Sequence, residues 1–276
     1  MQRFENRWPQ RACRAALVGV LALAGVTTSA LAQNASTAPA SSSVDSTPQT
    51  ADALALRKVL EQKFPGAQIS HIEKSNLGLY EVMLDNNLVY TDAAAAYVFV
   101  GSVYDTTTKQ NLTEARSRKL NRVAVDKLPY ELAFKRVKGD GSRKLIIFSD
   151  ADCPFCHRLE NEMKGLDNVT IYTFLFPIDQ LHPNAAQKSK RIWCSADKAK
   201  AWDTFFASGK LPENKGDCGD PVARTQALGN SLRINATPTL IFADGTMIPG
   251  ALPLPQLEKE MASAEIEAKK LAAAPK

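Results

Sequence analysis

The chain runs to 276 residues, 45% of them hydrophobic and 23% charged, with a formal net charge of +5 at pH 7. That length supports one large domain or two smaller ones, each with its own core. Arg3, Arg7, Arg11 and Arg14 against Glu5 account for +3 of the charge and leave +2 for residues 33–276. With no basic-aromatic patch, the composition argues against a nucleic-acid partner.

The N-terminus has the parts of a cleavable export signal. A positive stretch precedes an apolar run from Ala15 to Val26, then the small-x-small sequence Ala30-Leu31-Ala32. The run is short for a membrane span, which favours cleavage after Ala32 over an uncleaved anchor. Residues 1–32 are therefore read as a signal peptide that takes Cys13 with it. Four cysteines stay, an even number that suits two pairs in an oxidising compartment. Residues 33–50, rich in Ser, Thr, Ala and Pro, read as a disordered linker.

Residues 51–110 form the first folded segment. Leu56, Val59, Leu60 and Phe64 share one face of a helix from Ala51 that Pro65-Gly66 ends. Four short strands are predicted after it, over Gln68–Glu73, Leu79–Leu84, Leu88–Thr91 and Tyr97–Tyr104. So thin a module is marginal alone. Either it pairs with a second copy through the last strand, or it packs only on its own chain. Residues 111–125 come next as a connecting helix, with Asn111 placed to cap it and Glu114 three residues on. Its Arg116, Arg118, Lys119 and Arg122 read as a solvated face, with a patch for an acidic partner as the alternative.

Residues 126–276 carry the chemistry. Leu145-Ile146-Ile147-Phe148 has the length and type of a buried strand, and Cys153-Pro154-Phe155-Cys156 follows it. Cys156, Leu159, Met163 and Leu166 recur at helical spacing, so the first sulfur falls at a helix N-terminus. Unpaired backbone donors and the helix dipole favour a thiolate there. No second Cys-x-x-Cys and no His-x-x-x-His accompanies the pair, so no metal or cofactor is read, and a redox-active dithiol is favoured over half a zinc site or two unreactive core thiols. A strand over Val169–Phe176, three helices, a hairpin around Asp244-Gly245 and a terminal helix complete an α/β layer order. Cys194 and Cys218 bracket 23 residues of the helical insertion. A disulfide there would add roughly 3–4 kcal/mol; the rival is that one of them resolves Cys153.

Cys153-Pro154-Phe155-Cys156 after a strand, with Thr237-Pro238 opening a later one, resembles a thioredoxin-fold catalytic domain. With the leader, the small module, the connecting helix and the cysteine-bearing insertion, the chain resembles the DsbC/DsbG family of periplasmic disulfide isomerases. The resemblance implies an α/β (α+β overall) fold: a thioredoxin-like catalytic domain with a helical insertion, a linker helix and a small α+β dimerisation domain. It implies a periplasmic enzyme that corrects mispaired disulfides in misfolded exported proteins. It further implies a homodimer through residues 51–110, electrons from the membrane reductase DsbD, a cis peptide before Pro238 and a structural Cys194–Cys218 disulfide.

Cys153 is the expected nucleophile and Cys156 the resolving thiol, with substrate bound by Thr237, Pro238 and Phe155. His157 is expected either to add positive charge near the thiolate or to be a solvated residue without a role. Asp150 is expected to accept a proton from Cys156 or to cap a turn, and Asp150 and Asp152 together oppose a thiolate. Rival activities are a thiol oxidase, a DsbG-like reductase of sulfenylated cysteines, and a holdase chaperone without redox chemistry.

Overall fold

The computed structural model describes residues 50–85 and 87–273. The expected signal peptide with its cleavage after Ala32, Cys13 and the expected linker up to residue 49 lie outside the described residues, which all fall in one compact unit.

The N-terminal module starts with α1 (Ala51–Lys63), where the Thr50 hydroxyl accepts from the Ala53 amide at 3.3 Å. Ala53, Leu56 and Leu60 are buried against Ile72, Tyr80, Val82 and Val89 of an antiparallel meander. Its strands are β1 (Ile69–Lys74), β2 (Tyr80–Leu84), β3 (Asn87–Thr91) and β4 (Val98–Phe99), in that spatial order. The predicted strand over Tyr97–Tyr104 thus shrinks to two residues, plus an isolated bridge between Tyr104 and Asn111. The reason is physical: β4 has a partner on one side only, and the chain beyond it leaves the sheet to bond with the start of α2, Val103 joining Leu112 and Thr113. Val100 is 81% exposed and Tyr97 71%.

The connecting helix α2 (Leu112–Leu120) begins as expected, with Asn111 Oδ1 accepting from the Glu114 amide at 3.0 Å. Its arginines are neither a solvated face nor an open patch. Arg116 pairs with Glu73 and Glu81, while Arg118 reaches Glu114 and Glu260. Arg122, just beyond the helix, reaches Asp244 and Glu267. The Val123 amide donates to the Gly245 carbonyl at 2.8 Å. Gly245 sits at φ 86° with the Val123 backbone so close that a Cβ has no room.

The catalytic module is built on a five-stranded sheet ordered β5-β7-β6-β8-β9. Its strands are β5 (Ala133–Lys138), β6 (Arg143–Ser149), β7 (Val169–Leu175), β8 (Thr239–Phe242) and β9 (Met247–Pro249). β6 and β7 run parallel and every other pair is antiparallel. β6 is central and covered on both faces, which is why it reads as an unbroken apolar run. Leu145 and Ile147 point to α3 (Pro154–Glu162) and α7 (Leu254–Ala273), where Leu159, Leu257 and Met261 meet them. Ile146 and Phe148 point the other way, onto Phe174, Ile234 and Ile241.

Between β7 and β8 lie α4 (Ala185–Trp193), α5 (Lys198–Ser208) and α6 (Val222–Ser231). They share a core with the sheet through Phe134, Leu175, Ile192, Trp202, Phe205 and Val222. Ala151, from the turn before the cysteines, is buried in the same cluster. The insertion therefore packs directly on the segment that carries the site. Cys194 and Cys218 are joined by a disulfide.

Candidate active site

Cys153 is the N-cap residue of α3 and Pro154 occupies the first turn, where a missing N–H costs nothing. The helix runs from this point because β6 delivers the chain to the sheet end, and Cys156 and Leu159 then turn into the core. The two sulfurs are unequal. Cys156 is fully buried, and the Asp150 amide donates to its sulfur at 3.4 Å. Cys153 is nearly as buried, at 4% exposure, with its Sγ 3.1 Å from the Thr237 carbonyl oxygen, which accepts from the thiol form. The Thr237–Pro238 peptide is cis. Phe155, between the cysteines, is 60% exposed.

This environment separates the proton affinities of the pair. A hydrogen bond from Cys156 is the largest influence on Cys153, with further help from the Thr237 side chain and the Cys156 and Phe155 amides. Against partial desolvation, they lower its pKa to about 5. Burial, followed by the neighbouring Cys153 sulfur, pushes Cys156 far up. One sulfur is thus set to ionise at neutral pH and the other to keep its proton. Iodoacetamide should label Cys153 at a constant rate from roughly pH 8 down to roughly pH 6, and half as fast near pH 5. A midpoint near 8.5, where an ordinary thiol titrates, would overturn this. The linkage has the same sign: a depressed thiol pKa stabilises the reduced fold fully above the unfolded value, and that contribution disappears as pH falls through the folded one.

The other residues singled out in the sequence take definite places. Asp150 is fully buried. Its Oδ1 accepts from the Asp152 amide at 2.8 Å, as a turn cap does. Its Oδ2 accepts from the Ile178 amide at 2.8 Å and faces His182 Nδ1 at 2.9 Å. Asp150 therefore touches Cys156 through its backbone, with its carboxylate committed to the loop after β7. His157 Nε2 lies 3.2 Å from the Ala151 carbonyl, and its ring stacks on Phe206 at 4.2 Å. Its hydrogen bond serves the turn and not a sulfur. Asp152 is paired with Lys188 of α4.

His182 and Lys188 escape a reading by sequence, because they lie 32 and 36 positions from the aspartates they meet. The only usable signal is the unexplained pair of acids before a nucleophile, which calls for partners without naming them. Among the described residues one cluster has metal-like spacing, His71 with Glu73 and Glu81. Arg116 already spans both of its carboxylates.

A thioredoxin-type sheet with a thiolate at a helix start defines a thiol:disulfide interchange enzyme. Comparison agrees: a profile described as "Thioredoxin-like domain" matches residues 130–265, and one described as "Disulfide bond isomerase protein N-terminal domain" matches residues 45–114. The chain belongs to the DsbC/DsbG-like family of periplasmic disulfide isomerases. It is 37% identical over 207 residues to the probable thiol:disulfide interchange protein DsbC of Bordetella parapertussis, covering 75% of this chain and 73% of that one. With DsbC of Escherichia coli it is 26% identical over 215 residues, covering 76% and 87%. The solved disulfide interchange protein from Neisseria gonorrhoeae is 43% identical, covers 50% of this chain and 99% of its own, and superposes with a TM-score of 0.49.

Proposed function

We propose that this protein is an exported, homodimeric isomerase and reductase of mispaired disulfides, with Cys153 as the attacking sulfur. The observation that carries this reading is the split in proton affinity between an acidic Cys153, 4% exposed beside the Thr237–Pro238 segment, and a fully buried Cys156 that holds its proton. The Cys153 thiolate attacks one sulfur of a wrong disulfide and forms a mixed disulfide, and the other substrate sulfur leaves as thiolate. A substrate thiol then displaces Cys153, which completes isomerisation. Alternatively Cys156 displaces the substrate, which leaves reduced and the enzyme oxidised. The second route consumes electrons, which we assign to the membrane reductase DsbD. Thr237, Pro238 and Phe155 line the path of the bound chain.

The same reading gives the N-terminal module its purpose. Unpaired backbone at β4, with Phe99, Val100 and Tyr104 exposed beside it, offers an edge to an identical edge. A cleft of about 560 Å³ opens between this module and the cis-proline loop, lined by Leu88 and Val100 on one side and Asn235, Thr239 and Pro249 on the other. An unfolded chain resting there would lie beside Thr239, two residues from the Thr237 carbonyl that meets Cys153. We place the mature N-terminus at Gln33 and divide the chain into a dimerisation segment (51–110), a linker (111–125) and a catalytic segment (126–276).

Trapping thiols in growing cells tests the direction of the chemistry. Cys153 and Cys156 should be found reduced; a resting disulfide between them would instead mark an oxidase. Light scattering should give twice the chain mass, and Val100→Asp should halve it. A monomeric parent protein would overturn the dimer.

A further inference from the structure

Two carboxylates stand within three residues of the nucleophile, at Asp150 and Asp152, and a carboxylate close to a sulfur holds the thiol proton on. The thiolate nonetheless has a built environment, so the charge of these acids must be answered locally. Asp150 meets two backbone amides and His182. Asp152, adjacent to Cys153 in sequence, has no such amide cradle among its hydrogen bonds. Its partner is Lys188, in the second turn of α4. The pair is partly sheltered, with Lys188 29% and Asp152 22% exposed in their side chains. The ammonium also lies 5.8 Å from the centre of the Phe205 ring, which keeps it over the turn.

We propose that Lys188 is a positioning residue for the exchange reaction: by holding the Asp152 carboxylate in an ion pair, it screens the Cys153 thiolate from the acid next to it. The inference rests on the reading of Cys153 as the nucleophile. It gives the helical insertion an electrostatic part in the chemistry. α4 ends at Trp193, immediately before Cys194, so the disulfide to Cys218 anchors the helix that delivers the lysine. The other groups around the nucleophile are Cys156, Thr237, the Asp150–His182 pair and His157 on the Ala151 carbonyl, and none of them is hydrogen-bonded to Lys188.

The test is a double-mutant cycle on the full-length mature protein, with Lys188→Met, Asp152→Asn, the double variant and Lys188→Arg. The readouts are thiolate absorbance at about 240 nm against pH and the pH profile of alkylation, with mass spectrometry naming the cysteine modified. Lys188→Met should raise the Cys153 pKa by about half a unit to one unit, the size of one bared charge at short range in a partly wet site. Lys188→Arg should leave it unchanged. Asp152→Asn should lower it, and the double variant should return to the parent value. A Lys188→Met variant with an unchanged near-ultraviolet spectrum and an unchanged pKa overturns the proposal. A double variant that keeps the full rise also overturns it, because the lysine would then act on the sulfur directly. If alkylation finds Cys156 first, the assignment of the nucleophile itself falls.

Discussion

Serine in place of Cys153 should reduce refolding of scrambled ribonuclease to the rate seen without the protein. With a pKa of about 5, Cys153 is all but roughly 1% ionised at pH 7, whereas an ordinary thiol is about 3% ionised. A serine hydroxyl at that position has no comparable anion to offer, and Cys156 cannot stand in. Its sulfur is buried, and its proton is held by desolvation. Serine at Cys156 should behave differently. It keeps a donor toward the Cys153 sulfur, so the nucleophile survives and isomerisation through substrate thiols continues. What is lost is internal resolution, and mixed disulfides should accumulate on non-reducing gels. Retained activity in Cys153→Ser, or an equal loss in both variants, would reverse the two roles.

Alanine at Glu160 should cost about 3–5 kcal/mol in urea unfolding, the usual penalty for stranding one half of a buried ion pair. Glu160 lies on α3, and its carboxylate takes both arms of the Arg136 guanidinium at 2.6 and 2.8 Å. The indole Nε1 of Trp202 donates to it at 2.8 Å. Both ionic side chains are only 11% exposed. Removing the acid leaves Arg136 with the exposed Asp203 and Thr173 as its remaining partners, and leaves a fully buried tryptophan without an acceptor. Replacing both members together, by Arg136→Met with Glu160→Leu, should recover part of the loss, because the stranded charge is then gone while the Trp202 indole still lacks its acceptor. A single-variant change below about 1 kcal/mol would show that water reaches the pair.

The parts of the fold that can be read in the chain are those whose causes are local. β6 announces itself by four consecutive apolar residues, and α3 by Pro154 and the spacing of Cys156 and Leu159. The N-cap of α2 is visible as Asn111 three residues before Glu114. β5 is not visible. Phe134-Lys135-Arg136-Val137-Lys138 looks like a charged loop, yet it pairs along β7 from Ala133 to Lys138. Its register buries Phe134 and sends Arg136 inward to Glu160, a partner 24 residues away. The active site divides in the same manner. The cysteine pair and the Thr237–Pro238 step are local signals that the fold brings together. The answers to Asp150 and Asp152 come from a loop and a helix beyond β7, and charge taken residue by residue shows only repulsion. His157 is a similar case: its neighbours in sequence point to the sulfurs, while its aromatic neighbours in space, Phe205 and Phe206, turn it to the turn carbonyl.

The linker helix has a mechanical meaning. Nine residues of α-helix make a rod about 13.5 Å long. It is gripped near its middle by the acids of β1 and β2 through Arg116, and toward its end by Asp244, Glu260 and Glu267 through Arg118 and Arg122. A rod held at two points transmits torque and does not absorb it. Any swing of the catalytic module must therefore break one of these sets of pairs, together with the Val123–Gly245 hydrogen bond that continues the second grip. The sheltered Arg122–Asp244 contact resists salt better than the wetter Arg116–Glu73 pair. As ionic strength rises, the grip loosens first along the middle of the rod and last beside Gly245.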